Sequence, residues 1–202
     1  MPHPDRDNRR IVAGYESTAR AYVATVDGRP SASAAALRRF AQAIGAGGCV
    51  LEIGSDPGWD ADALESLGIA VHRTDAAVAF CEFQAERGRR CDRFDLLSDP
   101  VAGRYAGAMM LCVLQHFARA RLDGALRTLA GALDVGGALL LMYPEGEGDD
   151  AQQPAAAGHD REVRWTPAAL DARLAQAGFA VAWDETREGR GGRWRTVLAR
   201  VA

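Results

Sequence analysis

The residues with most chemistry to offer lie in one short turn. Glu52-Ile53-Gly54-Ser55-Asp56-Pro57-Gly58 places two carboxylates among glycines, directly after an apolar run. Gly54 and Gly58 let the backbone turn sharply and approach a ligand, and a helix beginning after Gly58 points its free amides at it. Asp75 falls at the end of the next apolar run, where an acid can accept hydrogen bonds from both hydroxyls of a ribose. Glu52 and Asp56 would repel a pyrophosphate, which argues against NAD and for a ligand that carries positive charge. His116, just past a later apolar run, is placed to accept a proton from a hydroxyl or amine; its alternative role is to cap the junction between that strand and the next helix.

These residues need a scaffold, and the chain supplies alternating strands and helices. Residues 49–53 read as a buried strand, 59–67 as a helix ended by Gly68, 69–74 as a second strand and 76–87 as a second helix closed by Gly88. A short third strand or its trailing loop falls at 92–97, a fourth strand at 107–113, and a long helix at 119–133 with Gly136-Gly137 as its stop. Residues 138–143 form a continuous apolar fifth strand. Thr166 caps a last helix with Pro167 in its first turn and Gly178 at its end. Two strand-like runs, 179–183 and 194–201, close the chain, joined by a glycine- and arginine-rich linker at 187–193. With no helix between them, these two must pair antiparallel.

The expected fold class is therefore α/β, a Rossmann-like, seven-stranded, mostly parallel sheet with an antiparallel last strand and helices on both faces. Upstream, a helix runs from Ser31 or Ser33 to about Ile44. Before it, residues 11–26 carry Ile11, Tyr15, Ala19, Tyr22 and Val26 at helical spacing, an arm with one sticky face, preceded by a charged segment expected to be mobile. Residues 1–30 are read as an arm or lid and 31–202 as a single domain. The polar stretch 145–160 reads as a flexible loop or lid.

The order of motifs resembles the class I S-adenosylmethionine-dependent methyltransferases. Val50-Leu51-Glu52-Ile53-Gly54-Ser55-Asp56-Pro57-Gly58 resembles the family's first motif, and Val71-His72-Arg73-Thr74-Asp75-Ala76 its ribose-binding second motif. Asp92-Arg93-Phe94-Asp95-Leu96-Leu97 resembles the segment flanking the adenine, and Met109-Met110-Leu111-Cys112-Val113-Leu114-Gln115-His116-Phe117 the fourth-strand motif. Leu133-Asp134-Val135-Gly136-Gly137-Ala138-Leu139-Leu140-Leu141 resembles the turn into strand five. The likeness runs from about Tyr15 to the C-terminus.

The resemblance implies S-adenosylmethionine as cofactor, with S-adenosylhomocysteine as product, and O- or N-methylation of a small molecule. It assigns Gly54, Ser55, Asp56 and Gly58 to the methionine pocket, Glu52 to the ammonium group, and Asp75 with Ala76 to the ribose. Asp95 and Leu96 frame the adenine, and Leu111 and Cys112 form the floor beneath the sulfonium. The N-terminal arm, through Tyr15 and Tyr22, is implied to close over the cofactor, or else to pack on the domain. Tyr143 and Glu145, at the end of strand five, are expected at the mouth in reach of substrate.

Two positions depart from the family pattern. Asp56 replaces the middle glycine, so either it pairs with the ammonium or it weakens cofactor binding. In the second case the fold serves a diverted reaction, such as a cyclisation, or a non-catalytic binding role. Ala106 stands where an acid is common at the foot of strand four, the end remote from the site. His72 and Trp165, Trp183 and Trp194 read as structural, His159 as exposed, and Arg187, Arg190, Arg193 and Arg195 as a solvated cationic hairpin.

Composition narrows the classes. The chain has 202 residues, 48% of them hydrophobic, enough for one domain with a substantial core. All 24 of its basic side chains are arginines against 27 acids, a net charge of −3. A lysine Schiff base is excluded, and no basic excess points to nucleic acid. Cys49, Cys81, Cys91 and Cys112 form no CxxC pair, so neither a metal site nor a disulfide framework is expected. The start of the chain has no signal-like apolar segment, no stretch is long enough to span a bilayer, and a cytoplasmic monomer or homodimer is the expectation.

Overall fold

The computed structural model describes residues 4–26, 28–150, 162–189 and 191–202. The apolar runs become strands β1 (Cys49–Ile53), β2 (Ala70–Asp75), β3 (Asp92–Arg93), β4 (Tyr105–Leu111), β5 (Leu133–Pro144), β8 (Phe179–Gly189) and β9 (Gly192–Val201), arranged in the order β3-β2-β1-β4-β5-β9-β8. Pairing from β3 through β5 is parallel, and β9 runs antiparallel to both β5 and β8, so the last strand of the chain is the reversed one. Two short strands, β6 (Asp149–Asp150) and β7 (Glu162–Val163), pair separately.

Helices cover both faces because strand residues alternate between two apolar layers. Leu51, Ile53, Ala108, Met110, Leu139 and Leu141 face α5 (Arg119–Ala132) and α6 (Pro167–Gln176). Val50, Met109, Leu111, Leu140 and Met142 face α2 (Ala34–Ile44) and α3 (Trp59–Ser66). Ser33 caps α2 and Thr166 caps α6, each side chain accepting a backbone N–H from the first turn. Helix α4 (Val78–Glu86) follows β2, and α1 (Pro4–Val23) packs on α4 through Ala19, Ala77 and Phe80.

Several boundaries differ from the sequence reading. The arm is helical from Pro4, inside the segment expected to be mobile. Strand β4 starts and stops two residues early, leaving Cys112 and Val113 beyond its end, and a 3-10 turn forms at Leu114–His116. Gly136-Gly137 does not stop the helix; α5 ends at Ala132, and the glycines lie within β5, where Gly136 has φ 72. The arginine-rich linker is the extended end of the β8–β9 hairpin, with Arg187 paired to Trp194 and Glu188 to Arg193. The loop expected at 145–160 begins with Glu145 bridged to Trp165 and with β6 on β7, while 151–161, with His159, lie outside the described residues. No helix among the described residues is long and apolar enough to cross a membrane.

Candidate functional site

The C-terminal ends of β1, β2 and β4 open into one cleft with two lobes. The first lobe encloses about 590 Å³, part of it open to solvent, and Gly54, Asp75, Ala76, Asp95, Leu96, Cys112 and His116 line it. Helix α1 roofs it with Asn8, Ile11, Val12 and Tyr15. The second lobe, about 400 Å³, is bounded by Glu52, Ser55, Asp56, Trp59, Asp60 and Leu111, with Tyr22, Arg29 and Ser31 at its rim. Gly54 and Asp56 border both lobes.

The turn holds its shape by backbone conformation that glycine supplies. Gly54 has φ 67, and a Cβ there would meet Val113 Cγ2 at 2.4 Å. Asp56 takes φ 49 and Cys112 φ 58, the two non-glycine residues with positive φ among those described, and both border the cleft. The cost at Asp56 is about 1 kcal/mol, and hydrogen bonds hold it. Its N–H donates to Asp75 Oδ2 at 2.9 Å, its carbonyl accepts from Gln84 Nε2 at 2.9 Å, and its carboxylate accepts from the Tyr22 hydroxyl at 3.3 Å.

Asp75 also accepts the N–H of Ala77 at 2.8 Å. Burial nevertheless pushes its carboxyl up to about 6, the amides of Ala77 and Asp56 pulling the other way. Burial pushes Glu52 well above the usual carboxylate range too, although the Ser55 hydroxyl donates to it. Asp56 is raised first by burial and then by the charge of Asp75. Asp60 is raised by burial against the N–H groups of Ser31 and Ala32, which it accepts at 3.0 and 3.1 Å. The cleft thus crowds carboxyls whose burial outweighs the nearby charges of Arg73 on Glu52 and Arg187 on Asp60.

The Tyr15 hydroxyl lies 2.9 Å from His116 Nε2. Burial, followed by the charge of Asp56, holds the Tyr15 phenol well above its ordinary pKa, and Asp56 followed by burial does the same to Tyr22. Both stay protonated, as donors rather than bases. Asp95 accepts Asn8 Nδ2 at 2.7 Å, tying α1 to the rim of the first lobe.

Three residues read from the sequence as site residues lie elsewhere. Gly58 borders neither lobe: at φ 87 it starts α3, and a Cβ there would meet Arg73 Nη1 and Gln84 Oε1, both at 2.6 Å. Tyr143 is fully buried in the core, because β9 pairs with β5 as far as Pro144 and the strand alternation turns Tyr143 inward with Leu139 and Leu141. Its hydroxyl accepts from Arg195 Nη1 at 3.2 Å, and that guanidinium also binds Asp171 and Asp184 at 2.8 and 2.9 Å. Glu145 is engaged with the hairpin, accepting Thr186 Oγ1 at 2.7 Å beside Arg193 at 3.4 Å. The arginines read as one cationic hairpin are therefore dispersed into separate contacts, with Arg187 donating to the carbonyl of Ser31 at 2.8 Å and Arg190 outside the described residues.

Conversely, the sequence reading missed Asn8, Arg29, Trp59 and Phe80. Arg29 is exposed at the rim of the second lobe. Trp59 Nε1 is buried with no hydrogen-bond partner among the described residues. The helical period of the arm held a signal for Asn8, one turn before Ile11 and Val12, but nothing local marks Arg29. His72, in contrast, is structural, bonded to Tyr105 Oη at 2.7 Å and Asp92 at 3.0 Å.

Residues 26–182 match a family model described as a methyltransferase domain. The chain belongs to that family. The resemblance carried by its motifs to the class I S-adenosylmethionine-dependent methyltransferases therefore stands. Solved methyltransferases share the fold. The Burkholderia thailandensis 1,6-didemethyltoxoflavin-N1-methyltransferase, bound to 1,6-didemethyltoxoflavin and S-adenosylhomocysteine, superposes with TM-score 0.79 at 16% identity, covering 100% of this chain and 92% of its own. DhpI in complex with S-adenosylhomocysteine gives 0.75 at 19% identity, covering 100% and 99%. The magnesium protoporphyrin IX methyltransferase of Synechocystis PCC 6803 with bound S-adenosylmethionine gives 0.66 at 16%, covering 100% and 86%. No protein of curated function matches the chain significantly in sequence.

Proposed function

We propose that this methyltransferase-family chain binds S-adenosylmethionine across the two lobes and transfers its methyl group to the oxygen or nitrogen of a small molecule. The observation that carries the reading is the second lobe, where the carboxyls of Glu52 and Asp56 form no ion pair among the described residues and an exposed arginine stands at the rim. That donor set fits an α-amino acid end: Glu52 and Asp56 for the ammonium, Arg29 and Trp59 Nε1 for the carboxylate. In the first lobe Asp75 takes the ribose, and Asp95, Leu96 and Phe80 surround the adenine. Asp56 acts as a ligand rather than an obstacle in this account, since two hydrogen bonds fix its strained backbone and the Tyr22 hydroxyl holds its carboxylate.

The bound cofactor supplies an electrophilic methyl group on a sulfonium. The chain contributes position and dryness: Leu111 and Cys112 close the floor, and α1 with Tyr15 and Tyr22 excludes water from above. The Tyr15 hydroxyl, 2.9 Å from His116 Nε2, hands its proton to the imidazole as it takes the one an acceptor hydroxyl or amine must lose, and so ends the step still protonated. A small acceptor suits a roofed cleft on a chain of net charge −3. Two neighbours of the same fold are named for small acceptors, didemethyltoxoflavin and magnesium protoporphyrin IX.

The test is transfer from methyl-labelled S-adenosylmethionine to pooled hydroxyl- and amine-bearing metabolites. Label should enter the small-molecule fraction, and His116→Ala should slow transfer by about 10²-fold or more with cofactor affinity unchanged. Cofactor binding without transfer to any pool would leave a binding protein or a diverted enzyme instead.

A further inference from the structure

Outside the cleft, the structure brings together two cysteines that the sequence kept apart. Cys81, on α4, and Cys91, in the segment leading into β3, have their sulfurs 2.8 Å apart. Both are free thiols, Cys81 8% exposed and Cys91 half-buried. A disulfide needs about 2.05 Å between sulfurs, so the bond forms with a sulfur shift of less than about 1 Å. Neither cysteine belongs to the cleft, and nothing in methyl transfer uses them.

We propose that Cys81 and Cys91 form a reversible dithiol–disulfide modification site, oxidised by a low-molecular-weight disulfide such as glutathione disulfide. The more exposed Cys91 meets the oxidant first. Its thiolate attacks one glutathione sulfur, releasing one glutathione thiol and leaving a mixed disulfide. Cys81 then attacks Cys91 Sγ, the Cys81–Cys91 bond forms, and the second glutathione thiol leaves. Two thiols of the protein lose two electrons and two protons, and the glutathione disulfide gains them. The hydrogen bond to Cys81, with burial, pushes the Cys91 thiol up, so the exchange accelerates as pH rises above neutrality.

The position gives the bond a consequence. Next to Cys81, Phe80 lines the first lobe; after Cys91, β3 leads directly to Phe94, Asp95 and Leu96 on the opposite wall. A bond between the two supports closes the short loop 82–90 and fixes the spacing of the walls.

The test uses the wild-type chain, titrated with glutathione disulfide at pH 8 and mapped by trypsin after blocking of free thiols. Cleavage after arginine releases Cys81 in peptide 74–87 and Cys91 in peptide 91–93, so the bridge appears as one linked pair that reductant separates. Two of the four thiols should disappear, with a mass loss of about 2 Da, and the melting temperature should rise by about 5 °C. Cys91→Ser should abolish the linked pair, and Cys49→Ser should leave it intact. Four thiols remaining, a stable mixed disulfide at Cys91, or a bridge involving Cys49 or Cys112 would overturn the assignment. The readout needs no cofactor, so it stands or falls apart from the proposed methyl transfer.

Discussion

Gly54 shows how closely the site depends on single atoms. Its φ of 67 and the 2.4 Å approach of a hypothetical Cβ to Val113 Cγ2 leave no room for alanine. Gly54→Ala should lower stability by about 1–3 kcal/mol, measured by urea unfolding, and abolish cofactor binding, since the displaced Val113 lines the first lobe. A variant that binds normally would mean that the turn is more plastic than drawn. The carboxyls give a pH prediction with a definite sign. Glu52 and Asp56 are held above their ordinary range, and Asp75 is pushed up to about 6. A ligand ammonium favours the ionised forms of Glu52 and Asp56, so binding must release protons and tighten as pH rises. Calorimetry in buffers of different ionisation enthalpy reads this directly, and proton uptake would contradict it. In the ligand-free protein the same raised Asp75 works the other way on stability. Its contribution is full below the unfolded value near 3.9 and is lost as pH climbs through about 6; Asp75→Asn should flatten that slope.

Elements with strong local signals were legible in the sequence. β1 fell at residues 49–53 as expected, Ser33, one of the two candidates with Ser31, caps α2, and Thr166 caps the helix it was read to cap, because a short polar side chain before an apolar period is a local cause of a helix start. What was not legible was set by partners distant in sequence. Tyr143 and Glu145 were read as the mouth end of strand five, in reach of substrate, but β9 pairs past Tyr143 and the hairpin engages Glu145. The helix start at Pro4 depends on α4 and the rim of the cleft, where Asn8 meets Asp95. If α1 is the lid, backbone amides near Asn8, Tyr15 and Tyr22 should exchange at least tenfold more slowly with S-adenosylhomocysteine bound, as read by hydrogen exchange. Unchanged exchange there would make α1 a fixed part of the domain.

At the scale of the whole molecule, strand alternation was enough to place the cleft, because a parallel sheet that reverses its winding between β1 and β4 opens there whatever fills it. The acids Glu52, Asp56 and Asp75 were therefore readable, each at or just past a strand end, while Arg29 and Trp59 were not, their roles depending on how the segment before α2 is pinned by Asp60 and Arg187. The same architecture serves many acceptors, so fold alone leaves the substrate open. The central claim concerns the cofactor, and calorimetric titration of the purified chain with S-adenosylhomocysteine, alongside Asp75→Ala, tests it most directly. The account predicts micromolar binding by the native chain and at least a tenfold loss in Asp75→Ala, with Asp56→Gly binding no tighter than native. Absence of binding by the native chain, with binding restored in Asp56→Gly, would contradict it and mark the site as disabled.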